Sequence, residues 1–121
     1  MYIGSISALS DMRQKLDIHE LNGSLENLSR LRGVSYIMMA DTDQKRKIGL
    51  IAQDVERVFP ELVSSNPDGI KSLNYNGLIA PLVEAVKELN EQNKALQLEI
   101  EELRLRLQAL EGRQTSDRFN N

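Results

Sequence analysis

From Tyr75 to Leu110 the sequence repeats in sevens, and no other stretch restricts the fold so strongly. Leu82, Leu89, Leu96, Leu103 and Leu110 take successive d positions, with Ile79, Val86, Asn93, Ile100 and Leu107 at the a positions between them. An α-helix turns every 3.6 residues, so a seven-residue repeat keeps to one seam only if helices wind around each other. Leucine at every d position makes a chance stripe on a monomeric bundle helix the weaker reading, and an oligomer is expected. The g residue Glu99 lies five before the e residue Arg104, and Arg106 stands likewise to Glu111, which predicts parallel chains in register. Such exposed pairs contribute about 0.2–1 kcal/mol each and choose orientation more than they hold the assembly. Asn93, the polar seam residue, costs stability but penalises slipped registers in which its amide would face leucine. β-Branched residues at a with leucine at d favour two strands.

A rod of about 35 residues leaves roughly 75 for a head, near the lower limit for a self-sufficient core. Five aromatics, Tyr2, Tyr36, Phe59, Tyr75 and Phe119, are available to fill it, so oligomer contacts are expected to complete it. A net charge of −3 gives no general attraction to nucleic acid. A basic-zipper DNA binder is further disfavoured because Asp68 to Pro81, leading into the rod, holds one basic residue, Lys71, and a proline. With no cysteine and a single histidine, His19, neither a disulfide framework nor a zinc site is expected, and no metal or cofactor is predicted. No apolar run approaches the roughly 18 residues of a membrane span, and no signal pattern opens the chain.

Met1 to Leu9 reads as an extended lead-in, and the polar SDMRQKLDI follows from Ser10 to Ile18. After the Asn22-Gly23 turn, Ser24 is expected to cap a short helix with Leu25, Leu28 and Leu31 on one stripe, ended by Gly33. Val34 to Met39 and Lys47 to Ala52 predict a hairpin about an Asp-rich loop. Gln53 to Phe59 predicts a helix stopped by Pro60, with Val55, Val58 and Phe59 inward. Asn66-Pro67-Asp68-Gly69 predicts the turn of a second hairpin. Asn76 is a candidate cap for the long helix, Pro81 either kinks it or marks its start, and the polar residues beyond Gly112 are expected to fray. The fold class is therefore α+β: a small head of short helices and hairpins, then one long helix. Residues 1–9, 10–74, 75–112 and 113–121 are the predicted lead-in, head, rod and tail.

Ser10 with Lys15 is the candidate for chemistry. A serine hydroxyl becomes a useful nucleophile when a base removes its proton, and a neutral lysine can be that base. Five residues along an α-helix place two side chains roughly 140° apart, and a regular strand puts them on opposite faces. The pair can therefore meet only across a turn or between subunits. On spacing alone, a solvated turn and helix cap is the commoner role for Ser-Asp followed by Arg and Lys. Gln53, Asp54 and Glu56 lie on a packing helix and are expected to cap it or to bridge subunits, and Asp41 with Asp43 lacks the rest of a calcium loop.

SDMRQKLDI, GVSYIMM, KIGLIAQDVERVFPELV and SLNYNGLIAPLVEAVKELN, in that order and spacing from about Ala8 to Asn90, resemble the C-terminal intramolecular chaperone domain of phage tailspikes and tail fibres. That self-cleaving family includes endosialidase tailspikes, with a related domain in myelin regulatory factor. The resemblance implies a homotrimer that templates folding of an upstream β-rich fibre and then frees itself by autoproteolysis. It puts the catalytic serine and lysine on Ser10 and Lys15, and implies a single-turnover serine endopeptidase in a virion tail precursor assembled in the host cytoplasm and released after cleavage. Residues 1–9 would then be the stub of the fibre. Attack by Ser10 on the Leu9 carbonyl passes through a five-membered ring, which favours scission between Leu9 and Ser10; attack from another subunit would leave the Ser10–Asp11 bond open as the alternative. Amides near Asp11 or Met12, or the side chain of Arg13, are candidates to stabilise the oxyanion. The competing expectation is a permanent trimerisation cap without cleavage.

Overall fold

In the computed structural model the described residues are 7–120, with side chains described to residue 114. Residues 1–6 of the expected stub, and Asn121, lie outside them. Helix α1 spans Ser24–Ser29, strands β1 and β2 span Val34–Ile37 and Arg46–Gly49, and α2 spans Ala52–Val58. Strands β3 and β4 follow at Val63–Ser65 and Lys71–Leu73, and α3 runs over Ile79–Asn120. Single 3-10 turns occupy Met12–Gln14, Pro60–Leu62 and Tyr75–Leu78. The architecture is the expected α+β head followed by a long helix.

Each hairpin forms its own two-stranded antiparallel sheet. In the first, Val34 faces Gly49 and Ile37 faces Arg46, and Lys47 pairs with Asp41 across the loop. In the second, Val63 faces Leu73. Its turn is held by Asn66, whose Oδ1 accepts from the Asp68 and Ile70 amides at 3.0 and 2.9 Å. Gly69 supplies the left-handed step at φ 83°, a conformation that costs glycine little.

Val55, Phe59 and Leu78 form the buried centre, with Leu28, Leu31, Leu50, Val58, Leu62 and Leu73 packed around it. The inward face expected of α2 is thus the core itself, and Pro60 ends that helix by opening the next 3-10 turn. Gly77 lies so close against Leu62 that a Cβ would collide with it. The Tyr75 hydroxyl accepts from the Leu50 amide at 2.9 Å, tying the end of β2 to the approach of α3.

Several boundaries differ from the sequence reading. Ser24 is the first residue of α1 rather than its cap; Gly23 caps it in the left-handed region at φ 69°. Ser24 is buried, and the orphan amides of Ser24 and Leu25 donate to Glu88 of α3 at 3.1 and 3.3 Å. A carboxylate from the long helix thus does what a local cap would otherwise do. Gly33 does not end α1, which stops at Ser29 with Arg30 as its C-cap. Asn74, not Asn76, caps the turn before α3. Pro81 is the third residue of α3, within the first turn, where a missing amide breaks no intrahelical bond, so it marks the start and introduces no kink. At the other end α3 continues past Gly112 to Asn120. One interior glycine costs only about 1 kcal/mol relative to alanine, too little to stop a helix of this length.

Leu78 at the end of the 3-10 turn and Pro81 and Ala85 of α3 are buried on the side that carries the head, and Glu88 bonds the head from the same stripe. The stripe beside it, Ile79, Leu82, Val86 and Leu89, is exposed. Residues 89–114 are exposed throughout. The head therefore docks on one face of α3 and leaves the heptad face free.

Candidate functional site

Ser10 and Lys15 flank the 3-10 turn Met12–Gln14. Asp11 caps that turn: its Oδ1 accepts from the Arg13 amide at 2.9 Å, while its backbone carbonyl accepts from the Gln14 amide at 3.0 Å. The Lys15 amide donates to the Met12 carbonyl at 3.1 Å, closing the turn. Tightening the chain to three residues per turn between extended flanks folds Lys15 back over Ser10. Lys15 Nζ donates to Ser10 Oγ at 2.7 Å. The turn within one chain is enough to bring the two side chains together.

Arg13 is committed to Asp11, with Nη2 at 2.7 Å from Oδ2. The hydrogen bonds from Arg13 hold the Asp11 carboxyl below the usual carboxylate range, and Asp11 in turn raises the Arg13 guanidinium. Arg13, one of the oxyanion candidates, thus has both its amide and its guanidinium engaged by the same carboxylate. Leu9 and Ser10 lie outside regular secondary structure, and Asp11 leads into the turn with extended backbone. Every residue from Ser7 to Gly23 is exposed, including Leu9, Met12 and, at 94%, Leu16. Ser10 and Lys15 thus sit on an arm that the described residues of the chain do not enclose.

The other polar candidates have local partners. His19 Nε2 lies 2.7 Å from Asp17 Oδ1. Asp41 holds Lys47, and Asp43 Oδ1 accepts from the Lys45 amide at 3.1 Å. In α2, Asp54 accepts from Arg32 at 3.1 Å and Glu56 from Lys71 Nζ at 2.8 Å, while Val55 between them is fully buried. Gln53 stands at the mouth of a cleft of about 570 Å³ shared with Tyr36, Met38, Leu50, Lys71 and Tyr75. The Gln53 to Glu56 block is therefore a packing helix whose acids bridge elements of one chain. Among the described residues no group of three His, Cys, Asp or Glu side chains gathers as a metal site, and no helix is long and apolar enough to cross a membrane. Sequence reasoning missed Glu88 and the Tyr75 hydroxyl. A usable signal for Glu88 was the small pair Pro81 and Ala85, which continues its stripe and permits close helix approach.

With that geometry in place, comparison with known proteins assigns the class. Residues 10–64 match the model of a peptidase family described as chaperone of endosialidase, and it is this segment that is similar to that family. Its relatives are fibre proteins of phages. The chain is 34% identical over 95 residues to the long tail fiber protein Gp37 of Escherichia phage AR1, covering 72% of this chain and 9% of that protein. It is 35% identical over 109 residues to its counterpart in Salmonella phage S16, covering 79% and 15%. Against that of Enterobacteria phage Ox2 the identity is 36% over 95 residues, covering 72% and 38%. The chain thus spans well under half the length of these relatives.

Proposed function

We propose that this chain is an intramolecular chaperone that trimerises along the a/d seam of α3, templates folding of a phage tail fibre joined upstream, and then cuts itself free next to Ser10. The division into a stub over 1–9, a head over 10–74 and a rod from 75 onward belongs to this reading, with the rod now reaching Asn120. The observation that carries the catalytic part is the 2.7 Å contact from Lys15 Nζ to Ser10 Oγ. The exposed heptad stripe and the fibre relatives support the assembly part.

Lys15 in its neutral form takes the hydroxyl proton, and the Ser10 oxygen attacks the Leu9 carbonyl carbon through a five-membered ring. The tetrahedral intermediate collapses by breaking the Leu9–Ser10 C–N bond. Lys15 returns the proton to the departing Ser10 nitrogen, leaving Leu9 esterified to Ser10 Oγ. Water then hydrolyses the ester, giving a Leu9 carboxylate and restoring the hydroxyl. Neutral lysine is favoured by removal from water, which assembly provides and the lone chain does not, so scission waits for the trimer.

Chaperoning has a kinetic basis. Intertwined β-fibres depend on non-local pairings and fold slowly, whereas this head is made of hairpins and neighbouring helices that order quickly. A terminal three-stranded coil holds the chains at high effective concentration and in register before the slow search begins. Cutting the coil away afterwards makes fibre unfolding kinetically hard to reverse.

The test is intact mass of freshly folded chain carrying a natural upstream fibre segment, alongside Ser10→Ala and Lys15→Ala. The proposal expects wild type to split at Leu9–Ser10 while both variants stay whole and still sediment as trimers. The exposure of the whole arm from Ser7 to Gly23 favours a second reading, a permanent trimerisation cap. Three uncut, well-folded trimers would establish that cap and end the protease assignment.

A further inference from the structure

The head is not centred on α3. In the heptad register Leu78 and Ala85, both buried beneath the chain's own head, are g residues, so the head occupies the g flank of the seam. The opposite, e flank carries Val83, apolar and 52% exposed. On that flank, too, the arm begins: Ala8 borders a groove with Asn76, Ile79 and Ala80, ahead of Ser10. On the seam side of the head lies a second groove of about 260 Å³, walled by Leu28, Leu31, Gly33, Leu50, Leu78 and the d residue Leu82. Among the described residues no charged side chain lines it.

In parallel helices a g residue meets the e residue five positions on in the next helix, the relation that joins Glu99 to Arg104. The same rule brings Leu78 against Val83 of the partner subunit, at the level of the apolar groove. Leu82 belongs to both the groove and the seam, so the two surfaces are continuous.

We propose that the head of each chain reaches across the seam and covers the e flank of the next copy, seating Val83 of the partner subunit in the groove between Leu31 and Leu82 and walling in that copy's Ala8–Ser10 segment. Each dyad is then formed by one chain and closed by another. The proposal deepens the function proposed above and rests on its parallel, in-register seam. It gives the exposed arm a cover of stated identity: a second copy of this head.

The chain has no cysteine, so introduced thiols report single contacts. A Cβ at Gly33 meets nothing within 4 Å and its φ is not left-handed, so Gly33→Cys fits without strain. The full chain carrying Gly33→Cys with Val83→Cys is oxidised under dilute conditions and run on a non-reducing denaturing gel, beside Val86→Cys, whose a-position thiols meet only across the seam. The proposal expects the double variant to close into a covalent ring at three times the mass of one chain, and Val86→Cys to give cross-linked pairs. Cross-linked Val86→Cys with a double variant that stays at single-chain mass overturns the proposal and spares the seam. If Val86→Cys also stays single and sediments as monomer, the seam fails and the proposal with it.

Discussion

At the residue scale, the meeting of Ser10 and Lys15 depends on a third side chain. Asp11 closes the 3-10 turn by accepting from the Arg13 amide and guanidinium, so Asp11→Ala is expected to loosen the turn with both dyad residues intact. Proposed cleavage should slow by about tenfold or more, read as the half-time of scission by intact mass, with sedimentation unchanged. The sign of the pH effect follows from the same pair. Arg13 depresses the folded-state value of Asp11 below 3.8, so the contribution of the pair is fully present above that ordinary value and is lost as pH falls through the lowered one. Chemical shifts of Ser10 and Arg13 followed by NMR should therefore hold from pH 7 to about 4 and move only below that. Ser10 and Lys15 drew notice as a pair through the motif that carries them. Their approach was not legible, because it turns on Asp11 adopting the cap of a 3-10 turn, and Ser10 or Ser24 look equally apt as caps by composition.

Secondary-structure elements divide by how local their causes are. The Asn66 to Gly69 turn was readable because one side chain and one glycine decide it; Asn66→Ala should lower stability by about 1–2 kcal/mol in urea titration, having removed the acceptor of two amides. The start of α1 was not readable, since its donors are answered by Glu88, 64 residues away. Glu88→Ala leaves the amides of buried Ser24 and of Leu25 without that carboxylate, and a loss of about 2 kcal/mol is expected by thermal unfolding, with Glu88→Gln losing less because it keeps one acceptor. The heptad was readable over α3, yet it concealed a second stripe. Leu78, Pro81, Ala85 and Glu88 interleave with the seam at the same helical spacing, and pattern alone cannot say which stripe meets the head and which a partner.

For the whole molecule, the proposed assembly makes stability depend on concentration, because subunit association stabilises only the folded state. The unfolding midpoint should rise with protein concentration, as measured by circular dichroism over about a hundredfold range. Leu96→Asp with Leu103→Asp should sediment as monomer at every concentration, while the core of Val55, Phe59 and Leu78 remains protected from amide exchange, since residues 89–114 are exposed in the single chain. A midpoint indifferent to concentration would remove the trimer from the account.

Glu88 bonds the head from the third turn of a helix that continues to Asn120. In the proposed assembly the helix past that point is held by its partner helices, so the head and the distal rod are separable parts. A rod of unrelated sequence, fused after Leu89 in the same heptad phase, should serve the head as well as its own does. On the proposed function, the head with such a substitute would be a portable end-piece for producing fibrous trimers whose own strands cannot find their register unaided.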